Sequence, residues 1–202
     1  MPFKKDFLNL LQDFKAAITP TEDAPSGQRT DLVLTGHFRK MMRKGVFETA
    51  AFAQMDLSEM DKEMEMITPL DKDDVSENNL LHEAAALGRP QTLRILIHIA
   101  RTRDEAYDAL FAQNVDGKTP LEYGAKALEI LEGEARELDV NLQLNKSENP
   151  EEDKTKLETI LTHIVHAKDC QEILSDAMTH AKARQALKNN NRNNNNNSQN
   201  RR

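Results

Sequence analysis

His163, His166 and Cys170 stand at i, i+3 and i+7. On one unbroken helix that spacing lines two imidazoles and a thiol along a face. Neutral imidazole and thiolate donors hold zinc when they converge to about 2.0–2.3 Å. A Cys beside a His that a third group orients is the start of a nucleophilic site. The neighbouring residues argue against both. Asp169-Cys170-Gln171-Glu172 reads as a helix-opening capping box, which would break the helix before Cys170 and spoil the alignment. The three are better read as boundary residues of a helix pair. Arg39, Lys40, Arg43 and Lys44 form a second group, paired at i, i+4 into a basic ridge. A solvated helix face explains them, with an acidic or phosphate-bearing partner as the sharper alternative. No Gly-rich phosphate-cradling loop is present, and the plentiful acids have nothing to pair them into an acid/base dyad. We therefore expect no catalytic residue, no cofactor and no metal.

The elements that must carry these residues are helical. Over 202 residues, hydrophobic side chains make up 38% and aromatics 4%, with no Trp, so the core must be aliphatic. Charged residues reach 30%, and Gly and Pro stand at 7 each, a balance that favours helix over a strand-rich sandwich. A formal charge of −7 speaks against a general nucleic-acid coat. The single cysteine excludes an internal disulfide and fits a reducing compartment. Neither a secretory signal nor a run of about 18 apolar residues is visible. The expectation is a soluble, cytoplasmic protein.

Phe3, Phe7, Leu10, Leu11, Phe14 and Ile18 recur at helical spacing, which predicts an amphipathic helix over 1–19 that docks on the protein's own core. A loop follows at Pro20–Gly27. Helix returns from Thr35 to about Met55, with Gly45 able to split it, and an acidic Met-rich stretch follows to 66. Over 35–66 this reads as a helical cap or degenerate repeat. The segment 152–187 reads as helix, break, helix, with Leu157, Ile160, Leu161 and Ile164 before Asp169 and Ile173, Leu174, Ala177, Met178 and Ala181 after it. From Lys188 an Asn-rich stretch runs to Arg202. It has no apolar area to bury, so 188–202 is expected to be a disordered tail.

The most informative residues lie within 67–145. Asn79-Leu80-Leu81-His82-Glu83-Ala84-Ala85-Ala86-Leu87-Gly88 is followed by Leu93, Leu96 and Ile97. Asn114-Val115-Asp116-Gly117-Lys118-Thr119-Pro120-Leu121-Glu122-Tyr123-Gly124-Ala125 opens the same way. Gly117 frees the backbone of a polar turn, Thr119 suits a helix cap, and Pro120 suits the first helical position. Both segments resemble the ankyrin repeat, whose helix opens Thr-Pro-Leu-His-x-Ala. They also depart from it. Asn79-Leu80 replaces Thr-Pro, and Glu77 stands at the tip glycine of the first copy. The second copy has Glu122 for His and Gly124 for the first Ala, and its second helix has no clean glycine boundary. The openings lie 40 residues apart, at Asn79 and Thr119, against a family period of about 33. An extended linker, Arg101 to Gln113, accounts for the surplus, with Tyr107, Leu110 and Phe111 forming an extra helical turn.

The resemblance implies an all-α fold: an ankyrin-like helix-turn-helix solenoid core, with flanking helices as caps because two repeats cannot stand alone. It also implies a protein–protein interaction module and gives His82 a hydrogen-bonding role in the tip network. The contact surface is implied at the loop tips and the exposed positions of each first helix. Those are Ser76, Glu77, Asn78, Glu83, Ala86 and Leu87 in the first copy, and Val115, Asp116, Lys118, Tyr123, Lys126 and Ala127 in the second. Small divergent ankyrin-like proteins resemble effectors that intracellular bacteria deliver into host cells, which implies a host protein as partner and the host cytosol as destination. Two other readings stay open. One is a Cys/His-dependent or metal-dependent enzyme at Cys170. The other is weak nucleic-acid binding through the basic ridge and the Arg-bearing tail.

Overall fold

A computed structural model describes residues 30–50, 54, 56–57, 67–144 and 146–199. The N-terminal helix expected over 1–19 and most of the Met-rich stretch lie outside these residues. The described residues are predominantly helical, with no strand among them and a lone bridge between Lys72 and Asn79. Their helices are α1 (Thr30–Arg43), α2 (Leu80–Ala86), α3 (Pro90–Thr102), α4 (Ala106–Phe111), α5 (Pro120–Gln143) and α6 (Pro150–Gln199). Among the described residues none is long and apolar enough to cross a membrane.

The start of each element follows from its residues. Asn79 caps α2: its side chain accepts from the His82 amide, and His82 Nδ1 receives the Asn79 N–H in return. Thr119 caps α5 in the same reciprocal way with Glu122. Each box satisfies donors that a helix start leaves orphaned. Helix α3 has Pro90 in its first turn and no cap of its own, since Arg89 makes no side-chain cap bond. Glu48 substitutes from a distant segment. Its carboxylate accepts from Gln91 N (2.9 Å), Thr92 N (3.0 Å) and Thr92 Oγ1 (2.7 Å), which places a negative charge at the positive end of the helix.

One core gathers Phe38 and Met42 of α1, Phe47, and Leu80, Leu81 and Ala84 of α2. Leu93, Leu96 and Ile99 of α3, Leu110 of α4, and Cys170 and Leu174 of α6 complete it. Each fully buried Leu contributes about 1.5–3 kcal/mol relative to exposure. A smaller cluster of Ala135, Ile160 and Ile164, with Leu128, Leu131, Leu138 and Leu157 packed on it, zips α5 to α6. The two helices run antiparallel, and Lys168 reaches Glu132 across the seam at 3.0 Å. Helix α6 also contacts α2, α3 and α4, so it spans the back of the molecule.

Several expectations hold and others are corrected. Gly45 does end the helix before it, with φ +70°, although α1 begins at Thr30 rather than Thr35. The extra turn around Tyr107 and Leu110 is α4. In the second copy, however, the expected helix-turn-helix is one unbroken 24-residue helix, α5. Gly88 turns the chain after α2 with φ +60°, whereas the same distance after Thr119 comes Leu128, which continues the helix. The C-terminal helix pair is likewise a single helix. Asp169 lies inside α6 because the buried stripe Ile160, Ile164, Ala167, Cys170, Leu174, Ala177 and Ala181 runs straight past it. Neither Gly nor Pro interrupts 151–199. For the same reason the backbone stays helical through Asn189–Gln199, where a disordered tail was expected. Propagating an existing helix is far cheaper than starting one.

Candidate functional site

Two polar turns stand side by side ahead of α2 and α5. In the first, Asp73 Oδ1 accepts from Val75 N (3.0 Å), Ser76 N (2.9 Å) and Ser76 Oγ (3.1 Å). These donors hold the Asp73 carboxyl below its ordinary range, the Ser76 amide contributing most. Glu77 sits where the turn needs the left-handed region and adopts φ +52°, a conformation that costs a non-glycine residue about 1–2 kcal/mol. In the second turn Asn114 Oδ1 accepts from Asp116 N (3.1 Å) and Lys118 N (3.0 Å), and Gly117 takes φ +69° without strain.

The turns are laced together. Val115 N donates to Ser76 O at 3.1 Å, and Asn114 Nδ2 donates to Asn78 Oδ1 at 2.9 Å. Lys72 Nζ reaches Gln113 O at 3.2 Å. Beneath them lies His82, fully buried. Its Nδ1 faces Asn79 and its Nε2 lies 2.8 Å from Lys118 O. Burial pushes the imidazole below its usual value, Lys72 pushes the same way, and the Lys118 carbonyl pulls against both. The neutral ring therefore donates from Nε2 to Lys118 O and accepts at Nδ1 from Asn79 N. The hydrogen-bonding role expected of His82 is present.

The space between the units is a groove of 260 Å³ lined by Arg43, Asp73, Ser76, Asn78, Glu83, Ala86, Leu87 and Tyr123. Six of the twelve expected contact residues meet there: Ser76, Asn78, Glu83, Ala86, Leu87 and Tyr123. Leu87 is 40% exposed, and Tyr123 is half-buried with its ring edge-on to His82 at 5.9 Å. Glu77, Val115, Asp116, Lys118, Lys126 and Ala127 do not line it. Of these, Val115 and Asp116 stand exposed at the second tip, and Glu77 pairs with Lys72. Lys126 pairs with Glu129 on the exposed side of α5, while Lys118 and Ala127 are half-buried.

Two of the six groove residues also have structural roles. Asn78 is buried, its side chain spent on Asn114. Glu83 is claimed by α1: Arg39 Nε lies 2.5 Å from Oε1, and Arg43 Nη2 lies 2.9 Å from Oε2. Half of the basic ridge thus clamps Glu83, Arg39 from a largely buried position where it also bonds Asp71 and Arg43 from an exposed one at the groove. Sequence reasoning placed Arg43 on the ridge but not in the groove, because no local pattern reveals a partner 40 residues away. Asp73 was missed as well. Its position two residues before Val75, at a turn entry, is the signal that could have found it.

Cys170 is fully buried in the main core. Desolvation, with Glu48 and Asp169 adding to it, pushes its thiol up to about 12, so it stays protonated and a poor nucleophile. On the unbroken α6, His163 is exposed and His166 half-buried, while Cys170 faces inward. The three do not converge. Among the described residues no group of three or more His, Cys, Asp or Glu side chains is placed to hold a metal ion. No protein-family model, curated protein or solved structure matches the chain.

Proposed function

We propose that this chain is a protein–protein interaction module built on an ankyrin-like pair of turn-plus-helix units, and that it grips its partner through the groove between the tips. The observation that carries the reading is the His82 bridge. One imidazole binds the cap of its own helix and the carbonyl just before the next helix, so the two tips are held in a fixed spacing. A rigid pair of tips presents a surface whose ordering entropy has been met in folding, which favours binding. The partner-facing residues are Leu87, Ala86 and Tyr123 as the apolar floor, with Arg43 at the rim and Val115 at the second tip. Tyr123 is the anchor, since aromatic side chains that fill pockets dominate interface energetics.

The experiment uses a photo-crosslinking residue in place of Leu87 to trap the partner from cells of the source organism or its host. Tyr123→Ala is then introduced into the same protein. We expect the trapped partner to fall at least tenfold while stability drops by about 1 kcal/mol, the scale of one edge-on aromatic contact. A loss of several kcal/mol would make Tyr123 a core residue and remove the anchor from the surface.

A further inference from the structure

Helix α6 crosses the end of α3 and the start of α4. There His180, Arg184 and Lys188 recur at i, i+4 and i+8 along one stripe of α6. Arg101, in the last turn of α3, lies across from them. The space between is a cleft of 340 Å³ lined by Arg101, Ala106, His180, Ala181 and Arg184. Two guanidiniums and an imidazole therefore converge on one cavity in a chain that is acidic as a whole.

Two carboxylates stand in the turn between α3 and α4: Asp104, held at φ +63°, and Glu105, one oxygen of which is buried. The Asp104 carboxylate pairs with Lys188 and, at 3.5 Å, with Arg184. Among the described residues neither the Arg101 nor the His180 side chain makes a hydrogen bond or ion pair. Asp104 is thus shared between Arg184 and Lys188, and no ion pair ties it to Arg101. A favourable helix-end charge accounts for Arg101 by itself. It does not account for His180 and Arg184 facing the same cavity from a different helix.

We infer that this cleft binds a small molecule carrying a phosphate-type dianion. The forked donors of Arg101 and Arg184 match phosphoryl oxygens in pairs, His180 adds a ring N–H, and Ala106 and Ala181 offer an apolar wall for the rest of the ligand. A cavity of this size falls at the small end of ordinary ligand sites. It is separate from the tip groove, so the same chain can hold a small anion and a protein partner.

The test titrates the full chain with phenyl phosphate at low ionic strength by calorimetry. Benzoate serves as the monoanionic control, and phosphatidylcholine vesicles with and without phosphatidic acid form a third arm. We expect saturable one-to-one binding of phenyl phosphate, weakened at least tenfold by Arg101→Gln and by Arg184→Gln. Arg136→Gln, on the exposed side of α5, should leave it unchanged. Two single variants on different helices keep the test decisive should one of them misfold. Equal binding of benzoate, absence of saturation, or equal affinity in all variants overturns the inference. Binding to phosphatidic acid vesicles without binding of the soluble ester overturns it too, and assigns the cleft to a lipid surface.

Discussion

The unit from Asp73 to Thr102 and the unit from Gln113 to Gln143 begin as near copies and end as different objects. Their caps are nearly superimposable in backbone: Asn79 has φ −80° and ψ 173°, Thr119 has φ −73° and ψ 165°. Each is followed by a leucine at the second helical position and a reciprocal bond from the residue after it. The first helix then lasts 7 residues and the second 24. Gly88 makes that difference, since it takes φ +60° cheaply and lets Pro90 start a new helix. The second unit offers Leu128 instead, and α5 continues along α6. Local capping chemistry decides where a helix starts; the presence of a left-handed residue decides whether a hairpin forms.

The difference reaches the core. Leu81 is fully buried, whereas Leu121 is half-buried and packs against the edge of the same cluster. The two leucines occupy corresponding places at unequal depth, because α2 lies between α3 and α5 while α5 packs mainly on α6 and α2. Leu81→Ala should therefore cost about 3–4 kcal/mol and Leu121→Ala about 1–2 kcal/mol, read from urea denaturation midpoints with unchanged slopes. Equal losses would mean that the second unit is packed as deeply as the first, and the asymmetry would be lost.

The next effect down is the bridge between the units. His82→Ala leaves the buried Asn79 amide without its partner and takes from Lys118 O one of its two donors, the Asn114 amide remaining at 3.1 Å, a loss of about 1–3 kcal/mol. The bridge also has a pH signature. Burial lowers the folded His82 value below the ordinary 6.5, so the unfolded chain takes up a proton first as pH falls. The contribution is fully present above about pH 6.5 and is lost progressively below it, down to the folded value. Denaturation at steps between about pH 7.5 and pH 5 should show stability falling in the wild type and a shallower fall in His82→Gln. Parallel profiles would show that His82 titrates alike in both states.

Much of this was legible in the residues, and the losses share one cause. The two tips, both helix starts, the extra turn after Arg103 and the role of His82 all rest on signals within a few residues of one another. The groove was half-legible: Leu87 and Tyr123 followed from the motif, but the Arg39–Glu83–Arg43 clamp joins residues about 40 apart, and only packing reveals it. Asp169 misled because a capping box states what a helix start would look like, not that one is needed. With an unbroken apolar stripe on both sides, burial outweighed the local alternative. The distant cap supplied by Glu48 to α3 was invisible for the same reason as the clamp.

Gly124 gives the finest test of how closely the two units are stacked. At the sequence level it is a departure, a glycine where the repeat motif has alanine. A Cβ there would lie 2.9 Å from Ala85 Cβ and 2.7 Å from the Gln171 amide. Gln171 is flexible and can withdraw, at the expense of bonds its reoriented amide makes to Leu121 O and Ala125 N. Ala85 cannot, since its methyl is fixed to the backbone of α2. Opposing this, Gly→Ala in a helix interior gains up to about 1 kcal/mol of propensity, while overpacking costs about 1–3 kcal/mol. The net expectation for Gly124→Ala is a loss of about 1 kcal/mol, measured as a lowered thermal midpoint. A matched substitution at Gly133, where a Cβ meets nothing within 4 Å, should be neutral or stabilising. Were both substitutions stabilising, α2 and α5 would stand further apart than the contact between Ala85 and Gly124 requires, and the tip groove above them would be wider than its lining residues imply.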